Sequence, residues 1–183
     1  PTDTWSHGVD RFGFDGEAMR ISSVSEIEAG PARTVIKFEA EGGSSSITSH
    51  VIIPEDGDLP VRFNVRLNWQ EHNRLLRLAY PLAAQRFEYE VPGGWAERPD
   101  DGREVPGHRW VRASGDGFDT VVVNDAKYSY AAMNGTLFLT AARSPVFAHH
   151  VPIELEPGAH YEYMDQGIQA AHTSARALCH NSG

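Results

Sequence analysis

Apolar and polar residues alternate with a period of two along one stretch of this chain. Apolar side chains occupy every second position from Val61 to Trp69, and polar side chains such as Arg62 and Asn64 lie between them. Successive side chains of a β-strand point to opposite faces of a sheet, so the pattern predicts a strand with one buried face. A second apolar stretch, residues 75–82, follows a short polar turn, and the two together predict a two-sheet core.

Similar strand-like segments recur along most of the chain, whereas no segment has a helical period with caps at both ends. The ten predicted strands are residues 19–28, 34–41, 45–54, 60–69, 75–82, 85–92, 108–113, 118–124, 135–142 and 160–164. Turns such as Asn134-Gly135 separate them, and Gly and Asn supply the positive φ angles that hairpin turns need. Many short strands with such turns indicate an all-β fold, a large antiparallel β-sandwich.

Four segments depart from simple alternation. Residues 51–53 and 121–123 are continuous apolar runs, which are typical of central strands covered on both faces. Residues 94–107 are polar and contain two prolines, so we expect a long loop. Residues 170–183 are rich in Ala, His and Ser and predict an irregular or truncated tail, which leaves residues 1–169 as the predicted domain.

Length, charge and cysteine content narrow the class of protein. A chain of 183 residues suits one large domain. The net charge of −9, with 16 scattered Lys and Arg residues, argues against a nucleic-acid partner. The chain lacks the run of about 18 apolar residues that a membrane-spanning helix needs. The single cysteine, Cys179, fits a reducing compartment, or simply a protein with few cysteines, and we expect a cytoplasmic location. A start at Pro1 suggests a piece of a longer protein.

Motifs spread over most of the chain give a more specific indication. They are D-T-W-S-H-G at residues 3–8, W-Q-E-H at 69–72, E-R-P at 97–99, H-R-W at 108–110, N-D-A-K-Y at 124–128 and R-S-P at 143–145. In order, spacing and letters they resemble the C-terminal β-domain of the α-mannosidases of glycoside hydrolase family 38. The first motif is similar to one that follows the catalytic region in many bacterial members.

The resemblance implies a supersandwich-like, non-catalytic domain of a zinc-dependent α-mannosidase that retains the configuration of its α-mannoside substrate. Retaining hydrolysis needs two carboxylates about 5 Å apart, one as nucleophile and one as acid/base. The resemblance places the nucleophile and most zinc ligands in an upstream catalytic domain. We therefore expect no catalytic residue and no cofactor in this chain, and zinc in the full-length enzyme. The implied partners are the catalytic domain and an α-mannoside oligosaccharide.

Two loops contain candidate substrate-binding residues. Asp165 and Gln166 precede a glycine, and the resemblance implies that loops of this region approach the catalytic cleft; an ordinary Asx turn is the alternative. Lys127, Tyr128 and Tyr130 combine an ammonium group with two aromatic rings, beside the amide of Asn124 and the carboxylate of Asp125, a set that suits contact with a sugar. The alternative is structural, with Asp125 bonding its own backbone turn and Tyr128 packing at the sandwich edge.

Other residues give weaker indications. The resemblance places His7 near a domain interface or the rim of the cleft. Trp69 lies in the apolar phase of its strand and is predicted to be core, whereas Trp95 is predicted to be exposed. The adjacent pair His149 and His150 would point to opposite faces of a strand, so we predict no metal site.

Two further functions stay open at this point. An autonomous carbohydrate-binding module would present aromatic side chains on one exposed face. A structural domain would form a symmetric homo-oligomer through a sheet edge or face.

Overall fold

The computed structural model describes residues 10–13 and 16–144, and the backbone alone of residues 171–181. All regular elements in these ranges are β-strands, which confirms the predicted all-β class. The strands are β1 (Arg20–Ala29), β2 (Arg33–Gly42), β3 (Ser45–Pro54), β4 (Val61–Trp69), β5 (Leu75–Pro81), β6 (Arg86–Val91), β7 (Gly94–Arg98), β8 (Asp101–Pro106), β9 (Trp110–Gly115), β10 (Phe118–Asn124), β11 (Ser129–Met133), β12 (Thr136–Arg143) and β13 (Ala171–Asn181). This described part contains no helix that could cross a membrane.

The strands form two antiparallel sheets that pack face to face. The large sheet has nine strands in the order β1-β2-β3-β4-β13-β10-β9-β6-β7, and the small sheet has four in the order β5-β12-β11-β8. The consecutive strands β4 and β5 belong to different sheets, so the predicted two-sheet core and the predicted antiparallel sandwich are both confirmed.

Two clusters of buried side chains fill the space between the sheets. One is centred on Tyr89 and Tyr130, whose rings meet edge to face with centroids 5.7 Å apart. The other contains Leu67 and Trp69 of β4, which confirms the predicted core position of Trp69. Fully burying each large apolar side chain stabilises the fold by about 1.5–3 kcal/mol, so this alternation of β4 is a main determinant of how the sheets stack.

Nine of the ten predicted strands are present within a few residues of their predicted bounds, and the tenth, residues 160–164, lies outside the described residues. The apolar runs at residues 51–53 and 121–123 belong to β3 and β10, which are interior strands of the large sheet, as predicted. The prediction that both faces are covered is wrong for Ile53, which is 37% exposed. The small sheet does not extend over this end of β3.

The predicted loop at residues 94–107 is wrong, because this segment forms β7 and β8. β7 pairs with β6, and β8 pairs with β11 as an outer strand of the small sheet. Both lie at sheet edges, where charged side chains are common because they hinder pairing of the open edge with another chain. Their polar composition reflects this edge position.

The prediction of an irregular tail is wrong for residues 171–181, which form β13. This strand lies between β4 and β10 and pairs antiparallel with both. Alanine and polar residues have low intrinsic preference for strands, so composition alone did not indicate one. Two strand neighbours satisfy its backbone groups, and this tertiary context outweighs the local preference.

Within the W-Q-E-H motif, Glu71 links the β4–β5 connection to the β2–β3 turn. Its Oε1 accepts hydrogen bonds from Ser44 N at 2.7 Å and from Ser45 Oγ at 3.0 Å. Gly43, in the same turn, has φ of 58°, and a Cβ there would lie 2.5 Å from Glu71 Oε1. The glycine is therefore required both by backbone conformation and by the approach of the carboxylate.

The tryptophan of the same motif anchors the other side of this connection. Trp69 Nε1 donates to Ser144 Oγ at 2.6 Å, and Ser144 N donates to Arg74 O at 2.9 Å. Ser144 belongs to the R-S-P motif after β12. W-Q-E-H and R-S-P thus meet here and hold the two sheets together, which is a structural role.

We predict that Glu71→Gln lowers the stability of the fold at neutral pH. The hydrogen bond from Ser44 N, followed by that from Ser45 Oγ, lowers the pKa of Glu71 below its ordinary value. A carboxylate with a lowered folded pKa contributes stability above its unfolded pKa of about 4.3, and this contribution disappears as pH falls through the folded pKa. Urea midpoints of the protein and the variant should therefore differ near neutral pH and converge in acid. The exposed Glu55→Gln is the control, and a difference that persists in acid would contradict the assignment.

Candidate functional site

The turn between β10 and β11 is built around the buried side chain of Asn124. Its Oδ1 accepts hydrogen bonds from Ala126 N at 3.1 Å and Lys127 N at 2.6 Å, and its Nδ2 donates to the Tyr130 hydroxyl at 2.5 Å. An amide can donate and accept at once, which a carboxylate cannot do. Asn124 therefore holds this turn, a role that sequence reasoning considered for the neighbouring Asp125.

Tyr130 connects the turn to the segment before β9. Its hydroxyl donates to His108 O at 2.7 Å, and burial raises the pKa of its phenol. A Cβ on Gly107 would lie 2.9 Å from the Tyr130 ring, so a glycine is needed where the chain passes this ring. The backbone of Asn124 adds a further link by donating to Arg109 O at 2.7 Å.

Glu90, in β6, fixes the same segment from the opposite side. Its carbonyl oxygen accepts from His108 N at 2.9 Å, and its carboxylate Oε2 accepts from Arg109 N at 2.6 Å. The backbone at residues 108 and 109 is thus held by a tyrosine, an asparagine and a glutamate from three separate strands. Rigid support of this kind positions side chains better than a free loop does.

The site presents the exposed residues Asp125, Tyr128 and His108 together with Lys127. Tyr128 is 54% exposed, and the His108 ring meets it edge to face with centroids 6.3 Å apart. Lys127 is half-buried, and burial lowers the pKa of its ammonium group. The structure therefore brings these three predicted residues together and adds His108, which the sequence did not indicate. The prediction that Tyr130 contacts a sugar is wrong, because its side chain is fully buried in the core.

Two sequence motifs contain the residues whose roles in this site were not predicted, His108 and Asn124. H-R-W begins with His108 and N-D-A-K-Y begins with Asn124, and the structure places them side by side. Trp95 lies nearby because its partner across β6 and β7 is Glu90, and it is exposed as predicted. The other candidates, Asp165, Gln166, His7 and the pair His149 and His150, lie outside the described residues.

The exposed side chains of this site can bind a ligand that has both an apolar face and polar groups. An exposed aromatic ring beside an ammonium group and a carboxylate can stack on a sugar ring and bond its hydroxyl groups. In the ranges 10–13 and 16–144, no three His, Cys, Asp or Glu side chains are grouped closely enough to hold a metal ion.

Fold and site together define an antiparallel double-sheet domain with a polar, aromatic rim at one end. Residues 10–150 match the family described as glycosyl hydrolases family 38 C-terminal domain. Because this match covers well over half of the chain, the protein belongs to that family.

Two proteins named as α-mannosidases are similar in sequence to this chain. The chain is 33% identical over 134 residues to alpha-mannosidase G of Dictyostelium discoideum, covering 65% of this chain and 12% of the relative. It is 30% identical over 111 residues to alpha-mannosidase 2C1 of Homo sapiens, covering 55% of this chain and 11% of the relative. The aligned part thus spans about an eighth of these relatives' length.

Proposed function

We propose that this chain is the non-catalytic C-terminal β-domain of a zinc-dependent, retaining α-mannosidase. The observation that carries the proposal is the match of residues 10–150 to the C-terminal domain of this family. The relatives are named as α-mannosidases and are several times longer than the aligned part, which leaves most of each relative for a catalytic portion. The domain supports that portion and lends residues to its substrate cleft.

The zinc of the proposed enzyme does not fit the residues described here. Zinc sites need three or four nitrogen, sulfur or oxygen ligands converging on one point. The described side chains offer no such group. The metal would be held by the catalytic portion, and no step of the reaction is assigned to this domain.

On this proposal the substrate meets the Asn124 turn through Tyr128, Lys127 and Asp125. Hydrogen bonds to Asn124 and Tyr130 keep this turn rigid. Binding of a mannose residue therefore costs little conformational entropy. Asp165, Gln166 and His7 remain predicted members of the same cleft. A bacterial origin and a cytoplasmic location also remain proposals; the single cysteine favours the latter.

Hydrolysis of an aryl α-mannoside tests the assignment. We expect turnover by the longer polypeptide that carries this domain, loss of turnover with a zinc chelator, and no turnover by the 183-residue chain alone. Hydrolysis by the chain alone would contradict a non-catalytic role. A longer polypeptide that cleaves aryl β-mannosides instead would contradict the substrate class.

The exposure of Tyr128 and Trp95 favours a second candidate, an autonomous carbohydrate-binding module. Aromatic residues at one end of a sandwich can form a sugar platform without a catalytic partner. Calorimetric titration of the chain with a mannose oligosaccharide distinguishes the two. Binding that Tyr128→Ala abolishes, and that the control Leu59→Ala at another exposed apolar residue leaves unchanged, would support the module. No binding by the chain alone favours the accessory domain.

A further inference from the structure

The large sheet has an apolar area that the small sheet does not cover. The large sheet has nine strands and the small sheet four, and exposed apolar side chains lie on the inner face of β1 and at the end of β3. The neighbouring Phe38 of β2 is partly buried against the core. Ile21 and Val24 of β1 are 60% and 64% exposed, although both lie on the inner face of the sheet. We call the group Ile21, Val24, Phe38 and Ile53 the apolar floor.

Strand register assigns these residues to one face. Ile21 is opposite Ala40 and Val24 is opposite Phe38, and directly paired residues share a face. Ala40 in turn pairs with Ile47, a member of the buried core between the sheets. The floor is therefore a continuation of the hydrophobic core beyond the last strand of the small sheet.

A groove joins the floor to the edge of the small sheet. It has a volume of about 390 Å³ and is lined mainly by apolar side chains, among them Met19, Ile21, Phe38, Leu76 and Phe138. β5 forms one wall and is the outermost strand of its sheet. Apolar side chains of a docked partner could thus pack directly against side chains of the existing core.

Contiguous exposed apolar areas mark interaction surfaces, because they gain free energy when removed from water. A second copy pairing edge to edge through β1 fits poorly. β1 has register shifts between Ile21 and Ser23 and between Glu26 and Glu28. Such bulges protect sheet edges from pairing with another chain.

We propose that the apolar floor docks an apolar surface of the catalytic portion of the same α-mannosidase polypeptide. This inference rests on the proposed function and names the face through which the domain acts. The aligned part makes up 12% of alpha-mannosidase G, so the relative has a large further portion that can supply the covering surface. Covering the floor extends the core of the sandwich into the interface and fixes the domain against the rest of the enzyme.

Cysteine labelling in the longer polypeptide tests the docking face. Val24→Cys places a thiol on the floor, and Ser25→Cys places one on the next residue, which is exposed on the opposite face, in a background where Cys179 is replaced by serine. Labelling with a maleimide is followed at each site by mass spectrometry of the peptide. In the 183-residue chain alone we expect similar rates at the two positions. In the native longer polypeptide we expect labelling at position 24 to be at least about tenfold slower than at position 25.

Equal rates at the two positions in an enzymatically active polypeptide would overturn the docking face while leaving the proposed function intact. Protection that disappears on dilution would mean that a second copy covers the floor, and this would also overturn the proposal. A polypeptide without α-mannosidase activity would instead refute the proposed function, so the two failures are distinguishable.

Discussion

Glu104→Ala is expected to lower the free energy of unfolding by about 3–5 kcal/mol, the range for removing one partner of a buried ion pair. Glu104 Oε2 lies 2.8 Å from Arg77 Nη2, and the two side chains are 11% and 10% exposed. Glu104 Oε1 also accepts hydrogen bonds from the hydroxyl groups of Ser129, at 2.7 Å, and Thr140. One carboxylate thus links all four strands of the small sheet, and its loss leaves a guanidinium group in a site with little water. Urea unfolding measures the effect.

Glu97→Ala is the matched control. Glu97 pairs with Arg86 at 2.9 Å, but its side chain is 55% exposed, and surface pairs of this kind contribute about 0–1 kcal/mol. Equal losses for the two alanine variants would contradict the role given to Glu104. Replacing both partners, by Arg77→Met with Glu104→Leu, should cost less than Glu104→Ala alone, because no buried charge is then left unpaired.

Asn124→Ala is expected to cost about 2–3 kcal/mol, because each buried polar group left without a partner costs about 1–3 kcal/mol. The substitution removes the acceptor for the backbone N–H groups of Ala126 and Lys127 and the donor to the Tyr130 hydroxyl. The Asn124 turn should then loosen, so Tyr128 should lose its fixed position as well. Denaturant unfolding gives the stability, and hydrogen exchange at residues 125–128 reports the local effect.

Asn68→Ala removes the same amide from the exposed face of β4 and serves as its control. Its Oδ1 accepts a hydrogen bond from Gln70 Nε2 at 3.0 Å, an exposed contact. We expect a change within about 0.5 kcal/mol, as for most surface substitutions. If the two asparagine variants were equally stable, the buried network at Asn124 would not hold the turn.

Where local pattern and tertiary environment agree, the sequence was sufficient to predict the fold. The alternation of β4 predicted its buried face correctly, because Val65, Leu67 and Trp69 pack against side chains of the small sheet. Asn134 and Gly135 have φ of 52° and 73°, which are the positive values predicted for this hairpin turn between β11 and β12.

Elements stabilised by distant partners could not be predicted in this way. β13 has the composition of a tail, and only its two neighbours in the sheet make it a strand. β7 and β8 are polar because they lie at sheet edges. The intrinsic strand preference of a segment does not depend on such neighbours, which are far away in sequence.

The candidate site likewise contains residues that local sequence predicts and residues that it does not. Asp125, Lys127 and Tyr128 were predictable, because their chemistry is local to one short turn. The roles of Glu90 and His108 could not be predicted. They depend on hydrogen bonds that join the backbone of residues 108 and 109 to Glu90 of β6 and to Tyr130, which are distant in sequence. The motifs containing His108 and Asn124 were visible, but their proximity depends on strand order.

Reconstitution of the enzyme from two pieces tests whether this domain completes an α-mannosidase. The catalytic portion, produced without this domain and supplied with zinc, is assayed on an aryl α-mannoside before and after addition of the 183-residue chain. We expect activity to rise on addition of the chain, to rise equally with Ser25→Glu, and to stay low with Val24→Glu. A catalytic portion that is fully active alone, and unchanged when the chain is added, would contradict the claim that this domain completes an α-mannosidase.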